Sequence, residues 1–293
     1  AAGAVWQCTT APRPALAEAA PPPQQPQPPP RRTAPKSSRP FDDPELTAAI
    51  PERQARQAHL LKFIRRVEPL IRAAVAAGDE ERLRELRAEV ASKQETVLFG
   101  TLPGDRQQYL ERYGCAAWTK EALAVCAEHA PLVELGGGAG HWQRALSHFR
   151  PRGPGTAPVD VLSYDDYSDI PLAVEGRSVG EVRRGGVEAL RLPEANGRTL
   201  LLVYPPPGDM ARRALGEHTG DTFIYVGEAR GGYNADDSFF DALERGWRVK
   251  RVVPLRPFEG GFEKLYVLTR RHSWMRLSRT RAWLGLDAPR QTS

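Results

Sequence analysis

Three glycines at alternate positions, Gly136, Gly138 and Gly140, stand in the stretch VELGGGAGHW, with Glu134 two residues ahead of the first and His141 directly after the last. Glycine lets a backbone turn tightly and come close to a ligand. A helix starting just behind such a turn offers unpaired N–H groups. Further along, VLSYDD ends in Asp165 and Asp166, LLLVYPPP sets Tyr204 before Pro205, Pro206 and Pro207, and VGEARGG sets Glu228 before Gly231 and Gly232. Carboxylates, a histidine and a tyrosine at such places can orient a ligand or move a proton.

The glycine spacing narrows the ligand. A dinucleotide fingerprint beginning at Gly136 calls for glycine or alanine at 141, where His141 stands, and no GK[ST] follows to make a phosphate-binding P-loop. The acid at 134 can face an ammonium group, which S-adenosylmethionine has and a nicotinamide dinucleotide lacks. A carboxylate closing the next strand can accept from both ribose hydroxyls. Asp165 is the first choice for that role and Asp166 the second.

These residues need a scaffold that brings strand ends together. PLVELGGGAG reads as a strand entering the glycine turn, and HWQRALSHF as the helix after it. PVDVLSYDD, VEALRL, TLLLVY, TFIYVGE and KLYVLTR supply further strands, with GDMARRALGEH and DDSFFDALERG as helices between them. WRVKRVVPL and KLYVLTR are joined by RPFEGGFE, too short for a crossover helix, so they pair antiparallel. The expected fold is α/β: a Rossmann-like, seven-stranded, mostly parallel sheet with an antiparallel closing hairpin, helices on both faces and an N-terminal helical extension.

The flanks differ in character. Residues 1–43 are a proline-rich leader containing PPPQQPQPPP and are expected to be disordered; their Ala, Pro, Arg and Ser bias also resembles the end of an organellar transit peptide. Residues 44–111 form the helical extension. Leu60, Leu61, Ile64, Val67, Ile71 and Val75 recur at helical spacing, Gly78 stops the run, and Asp79 caps a second helix marked by Leu83, Leu86 and Val90. This extension is expected to pack on the main domain or to form a dimer surface. The main domain spans 112–271, and 272–293 is a basic tail.

Composition excludes several classes. The chain has 293 residues and a formal net charge of +5, divided as +3 over residues 1–100, −3 over 101–269 and +5 over 270–293. Nucleic acid is therefore not the expected partner of the middle of the chain. No apolar run approaches the roughly 20 residues of a membrane helix, so no membrane partner is expected. Cys8, Cys115 and Cys126 show no CxxC spacing and the six histidines no HExxH, so no metal site is expected. No GxSxG nucleophile turn is present. An intracellular location, cytoplasmic or organellar (plastid or mitochondrion), fits this cysteine usage, and the oligomeric state is open.

The segments AAWTKEAL, PLVELGGGAGHW, DVLSYD, TLLLVYPPPGDMA, TFIYVGEARGG and DDSFF together resemble the class I S-adenosylmethionine-dependent methyltransferases, and within them a subgroup without a settled substrate. The resemblance covers about residues 112–271. It implies S-adenosylmethionine as cofactor, held by Glu134, Gly136, Gly138, Gly140 and Asp165 or Asp166; where many members place an acidic or polar residue against the adenine this chain has Val187, with Glu188 next to it as the candidate. Methyl transfer needs two reactants positioned and, for some acceptors, a proton removed. His141 and Glu228 are candidate general bases and Tyr204 a further catalytic candidate, while Pro205, Pro206 and Gly231 are expected to line the substrate cleft. YPPP is similar to the [DNS]PP[YFW] motif of enzymes that methylate exocyclic or amide nitrogens, but departs from it at both ends, at Tyr204 and Pro207. The three prolines are expected to hold Tyr204 extended and to leave carbonyl oxygens open to a ligand. A small-molecule acceptor is the expectation. The alternatives are a methyltransferase-like interaction module without catalysis and a nicotinamide-dependent reductase.

Overall fold

Alternate residues of the central strands go to opposite faces, and this splits the apolar run of TLLLV into two cores. Leu200 and Leu202 join Val133, Leu135, Phe223, Tyr225, Tyr266 and Leu268 on one side of the sheet. Leu201 joins Leu132, Val161, Ile224, Val226, Leu265 and Val267 on the other. Both faces are dry because both are covered by helices, which is why these strands read as continuous hydrophobic runs instead of alternating ones.

The computed structural model describes residues 39–271 except 103, 152, 154 and 169–177. Most of the proline-rich leader and the whole basic tail lie outside the described residues. Helices α1 (Pro44–Ala77), α2 (Glu80–Leu98), α3 (Asp105–Tyr113) and α4 (Lys120–Glu128) precede the sheet. Then follow β1 (Leu132–Leu135), α5 (His141–His148), β2 (Val161–Asp165), β3 (Arg183–Arg184), β4 (Thr199–Val203), α6 (Met210–Glu217), β5 (Thr222–Gly227), α7 (Asp237–Gly246), β6 (Trp247–Pro254) and β7 (Lys264–Arg270).

The seven strands run in the order β3-β2-β1-β4-β5-β7-β6. The first five pair in parallel, and β7 lies antiparallel to both β5 and β6. Helices α6 and α7 cover one face and α4 and α5 the other. The expected mostly parallel sheet with an antiparallel closing hairpin is what the chain forms. Strand order reverses between β1 and β4, which opens a crevice at their carboxyl ends.

The third strand is placed differently from the expectation. It is the two-residue Arg183–Arg184, paired with Tyr164 and Asp165, while Val187–Arg191 of VEALRL turns as a 3-10 helix burying Val187, Ala189 and Leu190. Apolar residues at 187, 189 and 190 cannot share one face of a strand, and Gly185-Gly186 breaks the chain just before them.

Gly78 ends α1 in the left-handed region at φ 67°, and the Asp79 carboxylate accepts from Arg82 N at 3.0 Å to start α2. The α1–α2 hairpin has a core of its own, built from Leu60, Phe63, Val67, Ala74, Leu83 and Leu86. The beginning of α1 is instead fixed to the sheet domain. Asp43 caps it by accepting from Glu45 N and Leu46 N and also binds Lys264 of β7. Phe41 is fully buried beside Phe240 and Tyr266, at ring separations of 5.6 and 5.4 Å. The leader therefore gives way to folded chain ahead of the expected boundary at residue 43, because Phe41 and Asp43 each have a partner on the sheet domain.

Candidate active site

At the end of β1 the chain makes its turn through Gly136, Gly138 and Gly140 at φ 74°, 56° and 82°. These values favour glycine. The amides of Gly136 and Gly137 both donate to the Tyr164 carbonyl, at 2.8 and 3.1 Å, tying the turn to the end of β2. Gly137, which the alternating pattern passes over, has the tightest surroundings. A Cβ there would lie 2.0 Å from Ser163 Oγ and 3.1 Å from Glu134 Oε2. Helix α5 starts directly after Gly140 with no side-chain cap, and Gly180 and Val182 pack against Gly140.

Glu134 is found beneath this loop, not in it. Its carboxyl is buried, accepts from Ser163 Oγ at 2.6 Å, and is pushed up to about 7 by burial, against the Ser163 hydrogen bond and with help from the nearby Asp165 charge. Strand alternation turns Glu134 to the α5 side of the sheet, under Gly137.

Asp165 is likewise committed to the protein. It is 7% exposed, and its two oxygens accept from Gly138 N at 2.7 Å and Tyr167 N at 2.6 Å. Asp165 thereby fastens the glycine loop to the next segment. The second choice, Asp166, is exposed. Its carboxyl is held below the usual range first by hydrogen bonds from Ser168 and then by Arg184 and Arg213. Glu188 accepts from Gly186 N at 2.7 Å and is also held low, chiefly by that bond. The two carboxylates converge on Gly186, where a Cβ would lie 2.9 Å from Glu188 Oε2 and 3.4 Å from Asp166 Oδ2. Met210, at the start of α6, packs over Gly136.

The three catalytic candidates are not brought to one place. His141 turns towards α3, where Nε2 donates to the Glu111 carbonyl at 3.1 Å and burial lowers its basicity. It lines a cavity with Trp118, Arg112 and Arg144. Trp118 packs edge-on to Tyr113 and Trp142.

Tyr204 and Glu228 do share a cavity, of about 170 Å³, at the ends of β4 and β5. Tyr204 is not extended as expected but left-handed, at φ 50°. Its N–H still donates to Val226 O at 2.7 Å, continuing the β4–β5 pairing for one residue before Pro205 ends it. Pro205 is buried, and its carbonyl is occupied by Ala235 N at 3.3 Å and Asn234 Nδ2 at 3.2 Å. Pro206, half-buried, is the next residue able to face the cleft. Asn234, absent from the expected site, also accepts from Glu228 N at 2.8 Å and so joins the ends of β4 and β5.

Glu228 is fully buried, with four partners. Arg53 of α1 grips it through two donors at 2.9 and 2.6 Å, and the amides of Tyr233 and Phe262 donate at 2.9 and 3.1 Å. The Arg53 guanidinium also binds the Gly260 carbonyl and lies between the Tyr233 and Phe262 rings, 4.6 and 4.8 Å from their centroids. Through these bonds Glu228 anchors α1 to the sheet domain. Gly231 serves the same junction, since a Cβ there would meet Ile50 of α1 at 3.2 Å. Two more buried ionisable residues line this cavity, Arg106 from α3 and Glu263 at the start of β7. The sequence reading missed both. The available signal was Glu263 itself, an acid in a glycine-rich, aromatic-flanked link, FEGGFE.

Among the described residues no helix is long and apolar enough to cross a membrane, and no cluster of metal-ligating side chains occurs. A scan against protein-family models finds no match, and neither does a search of curated proteins. Several solved structures are similar. Sp1610 of Streptococcus pneumoniae, a proposed tRNA (m1A22) methyltransferase, is 14% identical, with a TM-score of 0.34, over 58% of this chain and 89% of that one. Its complex with S-adenosyl-L-methionine is 15% identical, with a TM-score of 0.33, over 52% and 73%. OxaC in complex with SAH and oxaline is 13% identical, with a TM-score of 0.35, over 51% of this chain and 46% of that one. At such scores the fold assignment rests on the strand order of this chain: an α/β sheet in the order 3-2-1-4-5-7-6, with strand 7 reversed.

Proposed function

We propose that this chain is a class I S-adenosylmethionine-dependent methyltransferase acting on a small molecule. The observation that carries the reading is the reversal of strand order between β1 and β4, with a glycine turn after β1 and the paired carboxylates of Asp166 and Glu188 following β2 and β3. A ribose diol fits two acceptor groups of this kind, and glycine without a Cβ admits a ligand to the backbone. S-adenosylmethionine supplies an electrophilic methyl group together with its own leaving group. The chain's part is to hold the donor along β1 and β2, hold the acceptor near Tyr204, and exclude water. A small acceptor is favoured by the size of the Tyr204 cavity and by the absence of a basic excess over residues 101–269.

Calorimetry tests this directly. S-adenosylmethionine is expected to bind one per chain and NAD not to bind. Asp166→Ala is expected to weaken binding about 10-fold or more, in line with the loss of a charge-assisted hydrogen bond. Asp165→Ala is expected to lower thermal stability as the glycine loop loses its tie. Absence of binding to a folded sample would overturn the reading, and NAD binding in its place would favour a reductase.

A further inference from the structure

We propose that the cavity beside Tyr204 is the methyl-acceptor site and that Glu263 takes the acceptor's proton, so that the acceptor is a small planar molecule carrying an O–H or N–H next to a hydrogen-bond acceptor. The proposal rests on the methyl-transfer reading and extends it to the second substrate.

Shape comes first. The cavity holds about 170 Å³ and is walled by the rings of Phe99, Tyr204, Tyr233, Phe258 and Phe262. A cavity of roughly 150 Å³ accommodates benzene, so one substituted ring is the scale of occupant. Tyr204, the residue after β4, forms one of its walls.

Two polar atoms in its wall then set the chemistry. Glu263 Oε2 and Arg106 Nε are buried without a hydrogen-bond partner, in residues that are 4% and 8% exposed. Folded proteins leave few such atoms unsatisfied. One needs a donor and the other an acceptor, and a catechol, an aminophenol or a related ring carries both in one molecule. Arg106 is held in place by three rings, its guanidinium carbon 5.3 Å from Phe99, 5.3 Å from Tyr109 and 5.0 Å from Phe258. Glycine at 261 lets the carboxyl pack against the backbone, since a Cβ there would sit 2.5 Å from Glu263 Oε2.

Of the two buried carboxyls on this cavity, Glu228 is saturated by four donors and Glu263 keeps an oxygen open. The groups facing Glu263 are Arg106 and Tyr109 on α3, Arg53 on α1, Tyr204 after β4, and Tyr225 and Glu228 on and after β5. Burial, first, and the Glu228 charge push Glu263 up to about 7, while Arg106 and Arg53 pull the other way. A base poised there is matched to neutral pH. In the step itself the acceptor oxygen or nitrogen forms a bond to the methyl carbon, and the methyl–sulfur bond breaks with its electron pair left on sulfur. The acceptor's proton passes to the Glu263 carboxylate. The sulfonium becomes a neutral thioether and the carboxylate a neutral acid, so charge balances.

The test uses catechol as the probe with the full chain. Calorimetry without cofactor is expected to find one catechol bound, weakened at least 10-fold in both Glu263→Gln and Arg106→Lys, with both variants checked for folding by thermal unfolding. With labelled S-adenosylmethionine present, Glu263→Gln is expected to lower kcat for catechol methylation about 10² to 10⁴-fold, with unchanged affinity for the cofactor. The wild-type rate is expected to rise with pH through about 7. Glu263→Asp, which keeps a carboxylate, is expected to recover part of the rate and covers the case of a Gln variant that does not fold. No catechol binding, equal binding by wild type and Glu263→Gln, or undiminished turnover in that variant would each overturn the proposal. Failure to bind S-adenosylmethionine would sink the methyl-transfer reading and the proton step with it, while a Glu263-dependent catechol site would still establish the pocket.

Discussion

The crevice holds buried acids at both ends, and satisfies them in opposite ways. At the glycine loop, Glu134 and Asp165 are met by Ser163 and by the backbone amides of Gly138 and Tyr167, all within one strand–helix–strand unit. At the Tyr204 cavity, Glu228 is met by Arg53, 175 residues away in sequence on a helix outside the sheet. The first arrangement closes as soon as β1 and β2 pair. The second exists only while α1 is docked, so the Tyr204 cavity depends on the N-terminal extension and the glycine loop does not.

The most damaging way to break this contrast is Arg53→Ala. It leaves Glu228, whose side chain is fully buried, without its cation, and loss of one partner of a buried pair costs about 3–5 kcal/mol. Urea unfolding is expected to report a loss of that order, together with undocking of α1, while S-adenosylmethionine affinity changes little. A cofactor site lost in step with α1 would show the two ends to be one cooperative unit.

Gly137→Ala strikes the other end. Its Cβ would have to displace Ser163 Oγ from 2.0 Å, and overpacking of this kind costs about 1–3 kcal/mol. Cofactor binding is expected to fall sharply, with the α1 junction intact by hydrogen exchange. Unchanged cofactor affinity would remove the loop from the site.

Glu134→Gln sharpens the comparison with the smallest effect. The carboxyl of Glu134 is pushed from 4.5 up to about 7 in the fold, so the folded state binds the proton more tightly than the unfolded chain. Its penalty to stability is absent below about 4.5, grows as pH rises towards 7 and is constant above it. At about 1.4 kcal/mol per unit of pKa, this is an upper bound of a few kcal/mol, softened by the Ser163 bond. The variant is expected to flatten stability between about pH 4.5 and 7, as measured by urea midpoints, without altering the α1 junction.

What the sequence made legible follows the same division. The glycine turn, the acids after β2, the antiparallel hairpin and the Gly78–Asp79 boundary are all short-range patterns, readable from neighbouring residues. Strand alternation also contained the orientation of the acids: Glu134 falls in phase with Leu132, and Asp165 with Ser163 and Val161, all on the α5 side. Applied to single residues, that rule separates Asp165 from the exposed Asp166. No local pattern couples Arg53 to Glu228, or Arg106 to Glu263, because helix-to-sheet docking is decided by packing over long separations. Tyr204 was missed in conformation for a related reason. Pro205 disfavours only the right-handed helical region in the residue before it, and tertiary contacts at the β4 end then selected the left-handed one.

Helix α1 also has mechanical consequences. From Arg53 to Ala77 it extends 24 residues, about 36 Å at 1.5 Å per residue, with one end clamped at the sheet and the other at the Gly78 turn. A tilt of about 5° about the clamp would carry the tip roughly 3 Å sideways and barely stir the guanidinium at the base. Pro69 lies along the way and offers no N–H to the Arg65 carbonyl, so the rod is softest between base and tip. Helix α2 returns from the far turn to Leu98 and Phe99 in the wall of the Tyr204 cavity, so a load on the hairpin reaches that cavity along α2, which lacks such a joint.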